Sequence, residues 1–561
     1  MDLKEEKEYQ DRVKKRVLIL RDMMKEGKII FSEDMKDGML EESLLKVRYD
    51  KNGEPDLSTV NGLVRSLALS AEGMHHRERM KSVISLHEIQ RRYFNMISAN
   101  FQKFYDLMLQ YKSTPHQLAH AMAYGKKNVD YIDNPIKELL KDIEDFWELL
   151  AESAYLHLQD DYDSIKAVFG GDLFPSNDDN IASKCGVYTD TIILPCPFIR
   201  SRFLFDRWNK QQRVYYLLKH GLNVLQYKEL ALTELDKPIV AILPDKEMME
   251  GFTAIDQVMK LGDIDTLYHA KKVFGRYFES IEDLLSFGQE LNTIDKVLNE
   301  IENPEKVLFD TEFKEPLRIQ LEKQLDGQSS QLMGTKHPGL IVSMLGAGRM
   351  NICNEILMKS SIIGGVPLID APTSWEYFKW KLQYDSERTH PNRDFSKLHV
   401  VHGINGLKNT KLNWVGKIPP KGLIELRKTG AISEIREILS KGIDELVSAN
   451  EFDFTETSHK VFNNLNSAFN QHQENIKKLI SKKWKIAGTD FGSWIVVGTV
   501  EIASACLGTP LFGATAFTAN QFLDAPKIKD LPKTIKKMKE VNNEKESMKK
   551  SPLGLMFNYK K

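Results

Sequence analysis

Four short apolar stretches constrain this chain most: Thr191–Leu194, Ile239–Leu243, Leu340–Leu345 and Val366–Ile369. Each is continuous rather than alternating. A strand with one wet face alternates apolar and polar residues, whereas a strand covered on both faces does not. Helix-like segments lie between the four, so the pattern predicts a parallel sheet covered by helices. Several of the runs close on turn or polar residues: Pro195-Cys196-Pro197, Pro244-Asp245, Gly346-Ala347-Gly348 and Asp370-Ala371-Pro372. In open α/β sheets, ligands bind outside the carboxyl ends of the strands. If the four runs are neighbours, their loops converge on one crevice, with Asp245 and Asp370 as the acids placed there.

The flanking regions read differently. From Val83 to Met108, apolar residues recur at steps of three and four, which is one stripe on a long helix. Lys112-Ser113-Thr114-Pro115 ends that helix and starts another, with Ser113 or Thr114 as cap and Pro115 in the first turn. Residues 136–158 form a further amphipathic helix. The Gly-, Pro-, Asn- and Asp-rich stretch AVFGGDLFPSNDDN reads as a boundary loop. Helical spacing returns after residue 418. The expected fold is therefore mixed and mostly α-helical with a central α/β parallel-sheet domain. The domains are a helical N-terminal part (1–165), an α/β part (166–417) with a helical insertion at about 246–325, and a helical C-terminal part (418–561).

Composition narrows the function classes. A chain of 561 residues, 42% hydrophobic and 28% charged, is multidomain and globular. Its formal net charge of −1 argues against a dedicated nucleic-acid binder, which needs a basic surplus. The four cysteines, Cys185, Cys196, Cys353 and Cys506, show neither zinc spacing nor a disulfide framework. The first residues, MDLKEEKEYQDRVKKR, lack an apolar core for a signal peptide, so a cytoplasmic location is expected.

One stretch carries a candidate site. In IVSMLGAGRMNICNEILMKSSIIGGVPLID an apolar run ends in Gly346-Ala347-Gly348, a helix-like segment follows, and a second run closes on Asp370. Glycines there would let the backbone approach a phosphate, and the next helix would aim free N–H groups at it. Over about 30 residues the stretch resembles a Rossmann-type dinucleotide fingerprint, with Asn351 at the third glycine position and Asp370 about 20 residues on, where a ribose would be held. The ligand-binding candidates are Gly346, Gly348, Arg349, Asn351, Asp370 and Asp245.

Other motifs carry less. His116 and His120 stand four apart, a spacing that can hold a metal, but Gln117 replaces the glutamate a zincin requires. The turn at Asp50-Lys51-Asn52-Gly53 departs from a calcium loop in its glycine position and in Asn61 at the twelfth place. Asp160, Asp161, Asp163, Asp178 and Asp179 suit loop and cap roles. No catalytic residue, metal or cofactor is assigned.

The C-terminal part raises a second possibility. Residues 491–523 are the most apolar segment, divided at Gly508-Thr509-Pro510 into two limbs too short to span a bilayer as single helices. They read as a helical hairpin, flanked by lysines. The tail from 525 carries eleven lysines against four acids. Two functions follow from the sequence. In the first, a phosphate-bearing, nucleotide-like ligand binds at the strand ends, and the helical parts serve assembly, oligomerisation or signalling. In the alternative, a membrane-engaging, scaffold or effector protein acts through the hairpin and basic tail on an anionic membrane surface.

Overall fold

The computed structural model describes residues 3–29, 38–125, 129–172, 174–175, 180–245, 254–309, 315–326, 334–388, 413–415, 418–430, 432–433 and 495–497. Packing divides the chain into two units. Among the described residues, one holds those up to 86 together with 152–157, and the other holds 87–151 and those from 158 on.

The first unit is built on α1 (Leu3–Lys25), α2 (Gly38–Leu45) and α3 (Gly62–Val83). Val13, Val17, Leu20 and Met23 recur every three or four residues, so α1 buries one stripe against Val64, Ala68 and Ala71 of α3. A buried ion pair, Arg16 Nε to Glu72 Oε2 at 2.5 Å, also joins α1 to α3. The Asp50–Gly53 turn is closed by Asp50 Oδ1, which accepts the N–H groups of Asn52 and Glu54, with Gly53 at φ +80°.

In the second unit, α4 (Leu86–Gln110) carries the predicted stripe, with Ile89, Tyr93, Ile97, Phe101 and Met108 buried. The helix starts later than the spacing suggested, because the chain is extended at Ile84. Thr114 caps α5 (Pro115–Tyr124) in a reciprocal capping box with Gln117, and Pro115 stands in the first turn. The short α6 (Val129–Asp133) and long α7 (Ile136–Gln159) follow, and Trp147 of α7 packs on Tyr93.

Then comes the parallel sheet: β1 (Lys166–Gly170), β2 (Thr191–Pro195), β3 (Val240–Leu243) and β4 (Val366–Ile369), in the order β3-β2-β1-β4. Every residue of the four strands is buried, as continuous apolar runs require. Both edges are managed. Gln90 of α4 pairs with the outer edge of β3, its Nε2 donating to Ile242 O (3.0 Å) and its Oε1 accepting from Ile242 N (2.8 Å). At the other edge, Pro367 stands in β4, where the missing N–H costs no ladder bond. Lys166 opens β1 with its ammonium on the carbonyls of Leu158 and Asp161, the last turn of α7 and the loop after it.

Between β1 and β3 lie α8 (Ile181–Cys185), α9 (Pro197–Arg200), α10 (Arg202–Phe205), α11 (Lys210–Leu225) and α12 (Lys228–Ala231). After β3 come α13 (Ala254–Phe274), α14 (Ile281–Glu290), α15 (Ile294–Glu300) and α16 (Leu317–Asp326). These enclose a core of Phe274, Phe278, Phe287, Leu321 and Ile341.

Two expectations fail. Leu340–Leu345 is not a strand. It lies in α17 (Pro338–Ile363), a 26-residue helix with Pro338 in its first turn and Gly364 closing it at φ +67°. An apolar run without polar alternation marks a helix buried most of the way round as well as a buried strand, and here the helix prevails. Two of its glycines, Gly339 and Gly346, serve helix packing. A Cβ on Gly339 would stand 2.1 Å from Gly288 O of α14, and one on Gly346 would stand 3.3 Å from His269 of α13. The missing strand is β1, inside the stretch read as a boundary loop. The second failure follows from the strand order. Asp245 and Asp370 end β3 and β4, opposite edges of the sheet, three strand spacings or about 14 Å apart.

Helix α18 (Pro372–Arg388) follows β4, and α19 (Pro420–Lys428) comes later. Of the predicted helical hairpin, Ile495–Val497 forms a strand, β6, antiparallel to β5 (Asn413–Val415). The rest of 491–523, and the basic tail, lie outside the described residues. Among the described residues no helix is long and apolar enough to cross a membrane.

Candidate functional site

The chain runs from β1 outward through β2 to β3, then returns to place β4 on the other side of β1. The order therefore reverses between β1 and β4, which is the position at which open parallel sheets bind ligands. Here β1 ends in Gly170-Gly171-Asp172 and β4 in Asp370-Ala371-Pro372.

Both glycines are needed. A Cβ on Gly170 would lie 2.3 Å from Ile356 Cδ1 of α17, and Gly171 turns at φ +88°, with a Cβ position 2.9 Å from Ser374 Cβ. The chain thus leaves β1 directly beneath α17 and the first turn of α18. Ser374 spends its one hydroxyl proton on Gly171 O (2.6 Å) and accepts from Arg349 Nη1 (2.8 Å). Arg349 is half-buried, and among the described residues that hydroxyl is its only hydrogen-bond partner; no carboxylate pairs with it. Beside it, Asp370 accepts from Lys184 of α8 at 2.8 Å.

A second charged group stands at the ends of β2 and β3. Arg200, which closes α9, reaches Asp245 and Glu355, and Lys359 reaches the same two acids, so the four form a closed ring of alternating charge. Lys359 is only 1% exposed, which makes its pairing obligatory. Burial alone would raise the Glu355 carboxyl; Arg200 and Lys359 outweigh it and hold the group down at about 2. Burial likewise opposes the charge on Arg200, and the two acids more than restore it, so its pKa rises.

The predicted residues thus separate. Arg349 and Asp370 lie at the ends of β1 and β4, and Asp245 belongs to the ionic ring. Gly346 faces α13, and Gly348 is exposed with nothing near it. Asn351 fills the notch left by Gly262, where a Cβ would stand 1.6 Å from its Oδ1. The cup of free amides expected after Gly348 does not exist, because those N–H groups lie mid-helix and are spent on carbonyls four residues back. Sequence reasoning missed Gly170, Gly171, Ser374, Lys184, Arg200, Glu355 and Lys359. One signal for the first two was present: Ala167-Val168-Phe169 followed by Gly-Gly-Asp is a short strand and a tight turn.

The other candidates stay apart from both groups. His116 Nδ1 shares a hydrogen bond with Tyr215 (2.6 Å), and His120 packs on Tyr124. Among the described residues no three His, Cys, Asp or Glu gather to hold a metal. The described cysteines are buried, and burial pushes the Cys185 thiol up to about 12, far from a reactive thiolate. The strand-end groups can therefore do electrostatic work, binding and orienting an anion. No protein-family model, curated protein or solved structure matches the chain.

Proposed function

We propose that this protein binds a small phosphate-bearing, nucleotide-like ligand in the crevice between β1 and β4, with its helical parts serving assembly or signalling. The observation that carries the reading is Arg349. A half-buried guanidinium has lost part of its hydration and, among the described residues, meets only a neutral hydroxyl in return. An anion delivered to that point restores the missing charge and engages the unused nitrogens of the fork. The surroundings suit a phosphate. Gly171 brings bare backbone close, the first turn of α18 presents its positive end, and Asp370 can receive a hydroxyl of the ligand.

Calorimetric titration of the full chain with inorganic phosphate, ADP and NADP⁺ tests this. Saturable binding, weakened about tenfold or more by Arg349→Met, is expected. Binding that survives Arg349→Met unchanged would place the ligand elsewhere.

A further inference from the structure

Arg200 holds its two acids in an unusual way. Both Asp245 and Glu355 contact the same nitrogen, Nη1. The Nε and Nη2 edge, which makes the parallel pair of bonds to a carboxylate or phosphate, has no partner among the described residues. The acids do not depend on Arg200 alone, since Lys359 bridges them from the buried side. The ring therefore fixes the orientation of Arg200 while leaving its bidentate edge unspent.

The position of this edge matters. Arg200 follows β2 by five residues, and no carboxylate occurs after that strand before Asp206. When a nucleotide lies over a parallel sheet with its diphosphate at the first strand, the end of the second strand meets the ribose. A carboxylate there reads a free 2′-hydroxyl, and an arginine accommodates a 2′-phosphate. The spacing agrees by two routes. The β1–β4 crevice and the β2–β3 group are two strand intervals apart, about 10 Å. Along α17, Arg349 and Glu355 are six residues apart, about 9 Å. Either figure is the length of roughly one nucleoside.

We propose that Arg200 is a second anion subsite and that the ligand carries a ribose phosphate, at the 2′ position, in addition to its 5′ phosphates. This rests on the β1–β4 crevice binding the 5′ phosphates. The bound 2′-phosphate takes the Nε–Nη2 edge while Nη1 stays on the carboxylates.

The probes are NADP⁺ and NAD⁺, which differ only in that phosphate, titrated into the full chain. The wild-type protein is expected to bind NADP⁺ about tenfold or more tightly. Arg200→Lys, which keeps the ring's charge but not the fork, is expected to collapse that ratio towards one, with the melting temperature confirming that the variant is folded. Equal affinity in the wild-type protein, or a ratio that survives Arg200→Lys, overturns the subsite. If both nucleotides bind equally and Arg349→Met weakens both, the crevice reading stands and only the subsite falls. If neither binds at millimolar concentration, both fall together. The wild-type comparison decides even if the variant does not fold.

Discussion

The sheet presents two arginines at the same end, and they are held in opposite ways. Arg200 sits in a ring with two acids and a buried lysine. Arg349 rests on one neutral hydroxyl. The ring is self-sufficient: each charge has its counter-charge, so its first contribution is to tie α9, the end of β3 and α17 together. Among the described residues the Arg349 group lacks one negative charge. A protein gains no stability from such an arrangement, which is why the proposed 5′-phosphate site is placed at Arg349, while the ring offers only the unspent edge of Arg200.

The contrast can be broken first at the ring. Lys359→Met leaves Asp245 and Glu355 with Arg200 alone, one buried charge in excess, and should cost about 3–5 kcal/mol of stability in urea unfolding. A loss under about 1 kcal/mol would mean the ring is better hydrated than its burial implies. Next, Gly171→Ala forces a side chain into a left-handed backbone against Ser374. It should cost about 2 kcal/mol and also displace the hydroxyl that holds Arg349, so stability and phosphate affinity fall together. Acid sharpens the difference. The Glu355 carboxyl is held at about 2, below its unfolded value near 4.3, so its contribution is complete above about 4.3 and is lost as pH falls towards about 2. Glu355→Gln should flatten that part of the stability–pH curve, whereas Arg349→Met should leave its shape unchanged. The smallest effect is on Arg349 itself. Arg349→Met should change stability by no more than about 0.5 kcal/mol in either direction, while weakening phosphate binding about tenfold or more.

These regions also show what could be read from the amino-acid order. Helices with one apolar face were legible, as in α4, because a 3.6-residue period survives whatever packs against it. Three of the four strands were legible from their uninterrupted apolar runs. The fourth was misplaced because Leu340–Leu345 and Ala167–Phe169 carry little that distinguishes strand from buried helix. The deciding facts, Gly288 facing Gly339 and Ile356 above Gly170, come from distant parts of the chain. Arg349 and Asp370 were found through a glycine motif that turned out to be helix packing. They stand at the same strand ends for another reason: Arg349 reaches Ser374 from α17, and Asp370 directly follows β4. The ionic ring was illegible except for Asp245, since Asp245 and Glu355 lie 45 and 155 residues from Arg200.

The most direct measurement is a crystal structure of the full chain grown with NADP⁺. The account predicts a phosphate oxygen within hydrogen-bond distance of the Arg349 guanidinium and the Gly171 backbone, at the β1–β4 crevice. Nucleotide density at another place, with Arg349 still resting on Ser374 alone, would contradict it.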